Sequence, residues 1–507
     1  MKKILKAAFI LSAAAGLFSC TMDLRQPGAI DADDALTSIQ DAQNLRRGLY
    51  ANFRGAVAGG FVSNSEVQSD LFQPTSGYGN NYGYFFRWDF NVSEGGVEGV
   101  WGSCYGVIAN ANFFIENILE VLENPSESFS ADDLELLKIY LGEAYFFRAY
   151  YHYELAIRFC PAYDASTAGN PDTGIPYVTV FNPTADKSTY PNRGTLAATY
   201  EHINADLDLA EEYITTPGEV GCIWLTADAV SAFRSRVYLN MKDYDNVIKY
   251  AKPLVDGGKY ALVTTAANFK SMWASDSGQE CIMMCDASNK SNELPSSYDI
   301  MYISYNVAVK QYQPGFIPSS GTIATCSALE GDFRFDQFFA QRTANEPTGS
   351  AQVYLFEKFP GNPALFPSGM SLPRSNYLHK PKPFRIAEVY LNLAEAYAMG
   401  GSEGDAVNYL LTLRSARVPG YSYSGTDVMT EIKNERVREL IGEGFRLWDL
   451  KRWGDPVVRT SPQNSLIMYD HSSMTETFAA SNPRFTWPIP KAEMDTNPNI
   501  GAQNPGY

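Results

Sequence analysis

From Leu141 to Ala156 the chain reads LGEAYFFRAYYHYELA, with apolar side chains on most sides of any helix that it forms. A helix with so little polar circumference packs between neighbours instead of lying on a surface. Its start is marked further back. Ser130 is placed to cap it, Asp133 sits at the third helical position, and Phe129 and Leu134 stand where a hydrophobic staple closes. Pro161 stops it after Cys160. Further helices are predicted around DADDALTSIQDAQNLRRGLYANFRG, over WGSCYGVIANANFFIENILEVLEN up to Asn124-Pro125, and over residues 195–214. Residues 226–260 and 383–418 each read as helix, short turn, helix. Small Ala at the contact positions lets paired helices approach, and Tyr or Leu fills the groove. This is the tetratricopeptide-like plan, with repeats of roughly 34 residues. Pro253 interrupts one second helix, so the match is loose and unrelated helical hairpins are the alternative.

The pattern changes over 61–95 and again over 262–380, where Gly, Pro, Ser, Asn and aromatics replace the helical period. Short strand-like runs, ECIMMCD and VYLFEKF, break the second segment. The chain from about 455 onward also reads mostly as loop. The predicted fold class is therefore mostly α, with tetratricopeptide-like repeats packed against a large irregular, loop-rich region carrying a few short strands. Residues 20–507 are expected to form one body, with the repeats mainly within 101–260 and 383–453. So large an irregular insert in a compact body is usually functional, which makes 61–95 and 262–380 the expected ligand-facing segments.

Charge and composition narrow the partners. The 507 residues carry a formal net charge of −17, with 45 % hydrophobic and 19 % charged residues, a globular composition. Such an acidic chain is repelled by phosphate backbones, which weighs against nucleic acid and against direct docking on anionic lipid. The N-terminus reads MKKILKAAFILSAAAGLFSC: a basic start, an apolar run from Ala7 to Phe18 too short to span a bilayer, then Cys20. Leu17-Phe18-Ser19-Cys20 resembles a lipobox, with Phe18 an unusual residue at its position. The expectation is a lipoprotein signal over 1–19, cleavage before Cys20 and lipidation of its sulfur; an ordinary secretory peptide is the alternative. The other six cysteines, Cys104, Cys160, Cys222, Cys281, Cys285 and Cys326, are scattered and read as buried hydrophobes, not as a disulfide framework.

No catalytic, cofactor or metal constellation is predicted. GGSEG (400–404) fits a nucleophile-elbow pattern literally, but helices flank it on both sides, so it reads as a turn. DTNPNIG (495–501) lacks the Gly and the distal Glu of a calcium loop. His152, in the apolar helix, reads as a core residue. What stands out is SGYGNNYGYFFRWDF (76–90), where aromatic rings are bedded in Gly and Asn. A sugar has a C–H-rich face that packs on a flat ring and a rim of hydroxyls that amides and charged groups can bond. Tyr78, Asn80, Asn81, Tyr82 and Trp88 are the candidates there, and Tyr298, Tyr302 and Tyr305 in SSYDIMYISYNVAVKQYQPGF (296–316) are further ones. The alternative is that this run is partly a strand filling core. Phe85 and Phe86 are expected in the core, and Trp88 is balanced between the two roles.

Five stretches, in order, carry a family resemblance: WGSCYGVIANANFFIENI (101–118), GEAYFFRAYYHYELA (142–156), RIAEVYLNLAEAYAMGG (385–401), NERVRELIGEGFRLWDLKRWGD (434–455) and the ending WPIPKAEMDTNPNIGAQNPGY. Together they resemble the SusD/RagB family of outer-membrane nutrient-binding lipoproteins. The resemblance implies a helical body with four tetratricopeptide-like repeats and display at the cell surface of the outer membrane by the lipid on Cys20. It also implies a SusC-like TonB-dependent barrel as partner, and capture of oligosaccharides, or in some members peptides, without catalysis. A pure helical-repeat adaptor is a third possibility. Arg446, Trp448, Asp449, Arg452 and Trp453 are expected to form a buried, ion-paired cluster, because the family's shared stretches do not locate its ligand site.

Overall fold

A computed structural model describes residues 35–290, 305–373, 378–423, 427–469 and 477–507. Cys20, Tyr298 and Tyr302, three of the candidate residues above, lie outside the described residues. The first helices are α1 (Ile39–Ala56), α2 (Gly60–Gln68), α3 (Gly83–Arg87), α4 (Gly95–Glu123) and α5 (Ala131–Phe159). They are followed by α6 (Leu196–Tyr213), α7 (Ala227–Met241) and α8 (Tyr244–Asp256). Shorter helices α9 (Ala266–Ala274), α10 (Ser320–Cys326) and α11 (Phe333–Phe338) interrupt the irregular segment. The helical pattern resumes in α12 (Ile386–Met399), α13 (Glu403–Arg417), α14 (Val428–Leu440), α15 (Arg446–Trp453) and α16 (Lys491–Thr496).

Consecutive helices pack as hairpins: α4 on α5, α5 on α6, α7 on α8, and α12 on α13, with α12 also against α8. The repeat architecture read from the sequence is thus present. The α5 helix begins as expected, because the Ser130 hydroxyl and the Asp133 carboxylate form a reciprocal capping box. From Tyr140 to Phe159 every side chain is buried, since α4, α6 and α1 all pack on it. Its buried charges are each paired. Glu143 receives Arg46 at 2.5 Å, Arg148 forks onto Asp206, and Arg158 bonds Glu154 one turn back. Burial of a charge is tolerable only with such a partner. His152 stacks on Tyr177 and accepts from the Val178 amide; burial depresses it to about 3, so it is a neutral core residue.

Three expectations need correction. Pro253 does not stop α8, which runs one more turn to Asp256; the bond that Pro253 cannot donate is the one to Lys249, an exposed residue. Residues 61–68 are not loop but the body of α2, which is buried from Val62 to Gln68. The aromatic run at 83–87 is the short helix α3 and not a strand.

The strands form small sheets. β1 (Phe72–Pro74) pairs antiparallel with β5 (Phe316–Pro318), and β2 (Cys281–Met283) pairs with β8 (Phe384–Arg385). A four-stranded sheet takes the order β3 (Tyr305–Asn306), β4 (Gln311–Tyr312), β6 (Phe339–Glu346), β7 (Gly349–Phe356). Its long hairpin runs in register from Phe339↔Phe356 to Glu346↔Gly349. A last pair joins β9 (Val457–Val458) to β10 (Thr477–Phe478). Cys281 and Cys285 are buried and free, as the other described cysteines are free. The expected ion-paired cluster is present as well. Asp449 receives both Arg436 and Arg452, Arg452 also forks onto Glu395 beside the Trp453 indole, and Arg446 forks onto Asp70. Of this group Arg446 and Trp453 are half-buried and the rest are buried.

Candidate ligand-binding surface

The loop from Thr75 to Asp89 is pinned at its root by two distant parts of the chain. The Thr75 amide donates to the Gly315 carbonyl and its hydroxyl to the Pro314 carbonyl; the Ser76 amide donates to Ile467, and the Tyr469 amide to Pro74. Beyond that root the backbone folds through successive tight turns, Tyr78 to Thr75, Asn81 to Tyr78 and Gly83 to Asn80. Asn80, Tyr82 and Trp88 all hold left-handed backbone, at φ 60°, 55° and 57°. For an aromatic residue this conformation costs on the order of 1 kcal/mol, and such outliers gather where a site demands them.

The loop sorts its rings inward and outward. Phe85 lies against Trp487 and Phe90, and Phe86 lies between Phe316 and the buried Arg459 guanidinium, 3.7 Å from its centroid. Trp88 stacks on Phe478 at 4.5 Å and 10°, and its indole N–H donates to the Gln68 carbonyl at 2.9 Å. Trp88 is therefore a core residue and presents no face to a ligand, correcting its candidacy. Its left-handed backbone turns the ring beneath the loop, where Phe478 and Phe485 cover it. Tyr78 is also largely withdrawn, 8 % exposed, with Phe316 and Tyr469 edge-on to it. Burial raises that phenol's pKa, with Arg87 opposing the shift.

What stays outward is a compact polar set. Arg87 donates through Nε to Asp89 Oδ2 at 2.8 Å, and through Nη1 to Asn80 Oδ1 at 2.7 Å and the Tyr78 hydroxyl at 3.2 Å. Although burial works against its charge, the Asp89 hydrogen bond and charge hold the guanidinium above its ordinary pKa. Gly83 lies directly under this group. A β-carbon there would collide with Asn80 Oδ1 and stand 2.6 Å from Arg87 Nη1, so only glycine lets the side chains close over the backbone. Asn80, Asn81 and Asp89 are exposed, Tyr82 is half-buried, and Tyr469, 39 % exposed, stands beside Tyr78. The structure thus brings Tyr78, Asn80, Asn81 and Tyr82 together. Tyr305 belongs to the neighbouring sheet, half-buried and edge-on to Tyr312 at 5.1 Å.

Three members of this surface escaped the sequence reading. Arg87 and Asp89 stand inside the quoted run, but only the fold shows that Arg87 bridges Asp89 to Asn80. Tyr469 lies far along the chain, in a stretch with no signal of its own. A separate cleft of about 80 Å³ between the repeats and the irregular region is lined by Glu154, Arg158, Arg236, Lys382, Asp449 and Arg452. Each of those charges is paired, so it reads as part of the packing between the two regions. Among the described residues no cluster of His, Cys, Asp and Glu is arranged for a metal ion, and no helix is long and apolar enough to cross a membrane.

Two family models match this chain. One, described as the SusD family, covers residues 341–507; the other, described as starch-binding associating with outer membrane, covers residues 32–239. The chain belongs to the SusD family. A SusD-like protein, P38, of Formosa agariphila is 23 % identical over 93 % of this chain and 90 % of its own. Among solved structures, a SusD superfamily protein from Bacteroides thetaiotaomicron superposes with a TM-score of 0.76 at 24 % identity, over 92 % of this chain and 100 % of that one. The surface glycan-binding protein A from Bacteroides fluxus superposes with a TM-score of 0.66 at 20 % identity, over 92 % and 99 %. The SusD-type arrangement of helical hairpins against an irregular, loop-rich side is the fold described above.

Proposed function

We propose that this SusD-family protein captures oligosaccharides at the cell surface and passes them to a SusC-like TonB-dependent barrel in the outer membrane, without turning them over. The observation that carries the reading is the preorganised group on the Thr75–Asp89 loop. Half-exposed Tyr82 and Tyr469 offer ring surface beside amides, a carboxylate and a guanidinium already locked by mutual hydrogen bonds. A pyranose needs both kinds of contact, and groups fixed beforehand lose little freedom on binding. The starch-binding description of one matching family model and the glycan-binding name of one structural relative support the same chemistry. The lipobox-like Cys20 and the outer-membrane description of that family model support display by a lipid anchor.

The ligand is a neutral sugar chain. Among the described residues of the loop, Arg87 is the cation, and it already bonds Asp89, Asn80 and Tyr78. A sulfate or uronate would meet the exposed Asp89 carboxylate on a chain of net charge −17. Calorimetry of the soluble form, without residues 1–20, against neutral, uronic and sulfated glycans tests the reading. Binding of about millimolar to micromolar strength by a neutral glycan, lost in Tyr82→Ala, is the expected result. Heat from peptides and none from any glycan would replace it with peptide capture. A barrel partner retained by a form that binds neither would leave only an adaptor.

A further inference from the structure

The tip of the β6–β7 hairpin is wedged under the root of the ligand loop. Glu346 Oε2 occupies the space where a β-carbon of Gly77 would sit, and Pro347 Cδ is 3.1 Å from the same point. On the other side of the tip, Thr348 Oγ1 and Ser76 Oγ share a hydrogen bond at 2.7 Å. The Glu346 carboxyl is buried, 9 % exposed, and its Oε1 makes no hydrogen bond among the described residues. The polar groups that act on it are the Thr75 hydroxyl and the Gly77 amide, and the Thr75 proton is already given to Pro314. The titratable side chains on the elements around it are Tyr78, Tyr82, Tyr84, Arg87 and Asp89 on the loop, Tyr312 on β4, Tyr354 on β7, and Tyr469 beside Tyr78. The Arg342–Glu357 pair lies farther along the hairpin.

A neutral carboxyl fits this pocket, whereas a carboxylate there leaves a charged oxygen buried and unbonded. We infer that the Glu346 tip is a proton-controlled latch: protonated, it holds residues 75–82 closed, and ionised, it swings toward water and frees them. The sign follows from burial, which pushes this carboxyl up from 4.5 to about 7. The closed form binds the proton more tightly than the open one, in which the group returns to its ordinary value. Closure is therefore firm at acid pH and is lost as pH rises from about 4.5 to about 7, by up to roughly tenfold per unit, with no further change above. Acid would then favour a set, high-affinity surface and alkali a loose one.

Amide hydrogen exchange of residues 75–82 in the intact protein, between about pH 5 and about pH 8 and corrected for the intrinsic rate, reads the latch directly. In the wild type, opening should increase by tenfold or more over this range. In Glu346→Gln it should stay at the wild-type acid level throughout. Thr348→Val, which removes the tip's second hold, should raise opening at every pH while keeping the slope. A flat wild-type profile, or equal slopes in wild type and Glu346→Gln, would overturn the proposal. The readout needs no ligand, so its failure and the failure of the oligosaccharide reading are separate results.

Discussion

Tyr82 and Trp88 belong to one short loop and both hold left-handed backbone, yet Trp88 is fully buried while Tyr82 stays partly exposed. Trp88 is buried against Phe478 and hydrogen-bonded to Gln68, so Trp88→Ala should cost about 3–5 kcal/mol in chemical denaturation. Ligand affinity should fall only through the disturbed loop. Arg87→Lys keeps the charge but loses the fork that joins Asp89, Asn80 and Tyr78; calorimetry should show binding weakened about tenfold, or about 1.4 kcal/mol. The sequence marked this loop because rings bedded in Gly and Asn are poor strand material. It could not say which rings face water, since that is set by partners hundreds of residues away. Phe478 decides for Trp88, and Phe316 and Tyr469 decide for Tyr78.

At the scale of elements, the helices were legible wherever a local signal sufficed. Ser130 with Asp133 marks the start of α5 and Pro161 its end, and the Ala-rich faces mark hairpins that the structure packs together. Thr226 caps α7 from a buried position, so Thr226→Ala should cost about 1–2 kcal/mol by the same denaturation assay. His152 gives α5 a pH limit. Burial lowers its folded pKa to about 3, so its stabilising contribution is complete above about 6.5 and is lost as pH falls toward 3. Melting temperature should drop through this range in the wild type, and less steeply in His152→Gln. The ion network that joins α14 to the irregular region was not legible at all. Glu439 on α14 receives Arg334, Arg385 and Arg417 from three other segments. Removing one charge strands several, so Glu439→Gln should destabilise by about 3–5 kcal/mol or prevent folding.

At the scale of the molecule, the sequence announced its helical half through period and its irregular half only by the loss of period. Within 262–380 the sheet order β3-β4-β6-β7, with β4 running parallel to β6, follows from no local pattern. Anchoring is tested on the full-length chain expressed in a lipoprotein-processing host. Cys20→Ser should move the protein from the membrane fraction to the soluble one while leaving glycan binding intact.

The root of the Thr75–Asp89 loop is tied to Gly315 and to Ile467 and Tyr469, and the rings beneath it rest on Trp487 and Tyr507. During synthesis, this loop must therefore wait for the last residues before it can acquire its shape. A prematurely terminated product could still form several helical hairpins, but the Thr75–Asp89 loop would lack its supports.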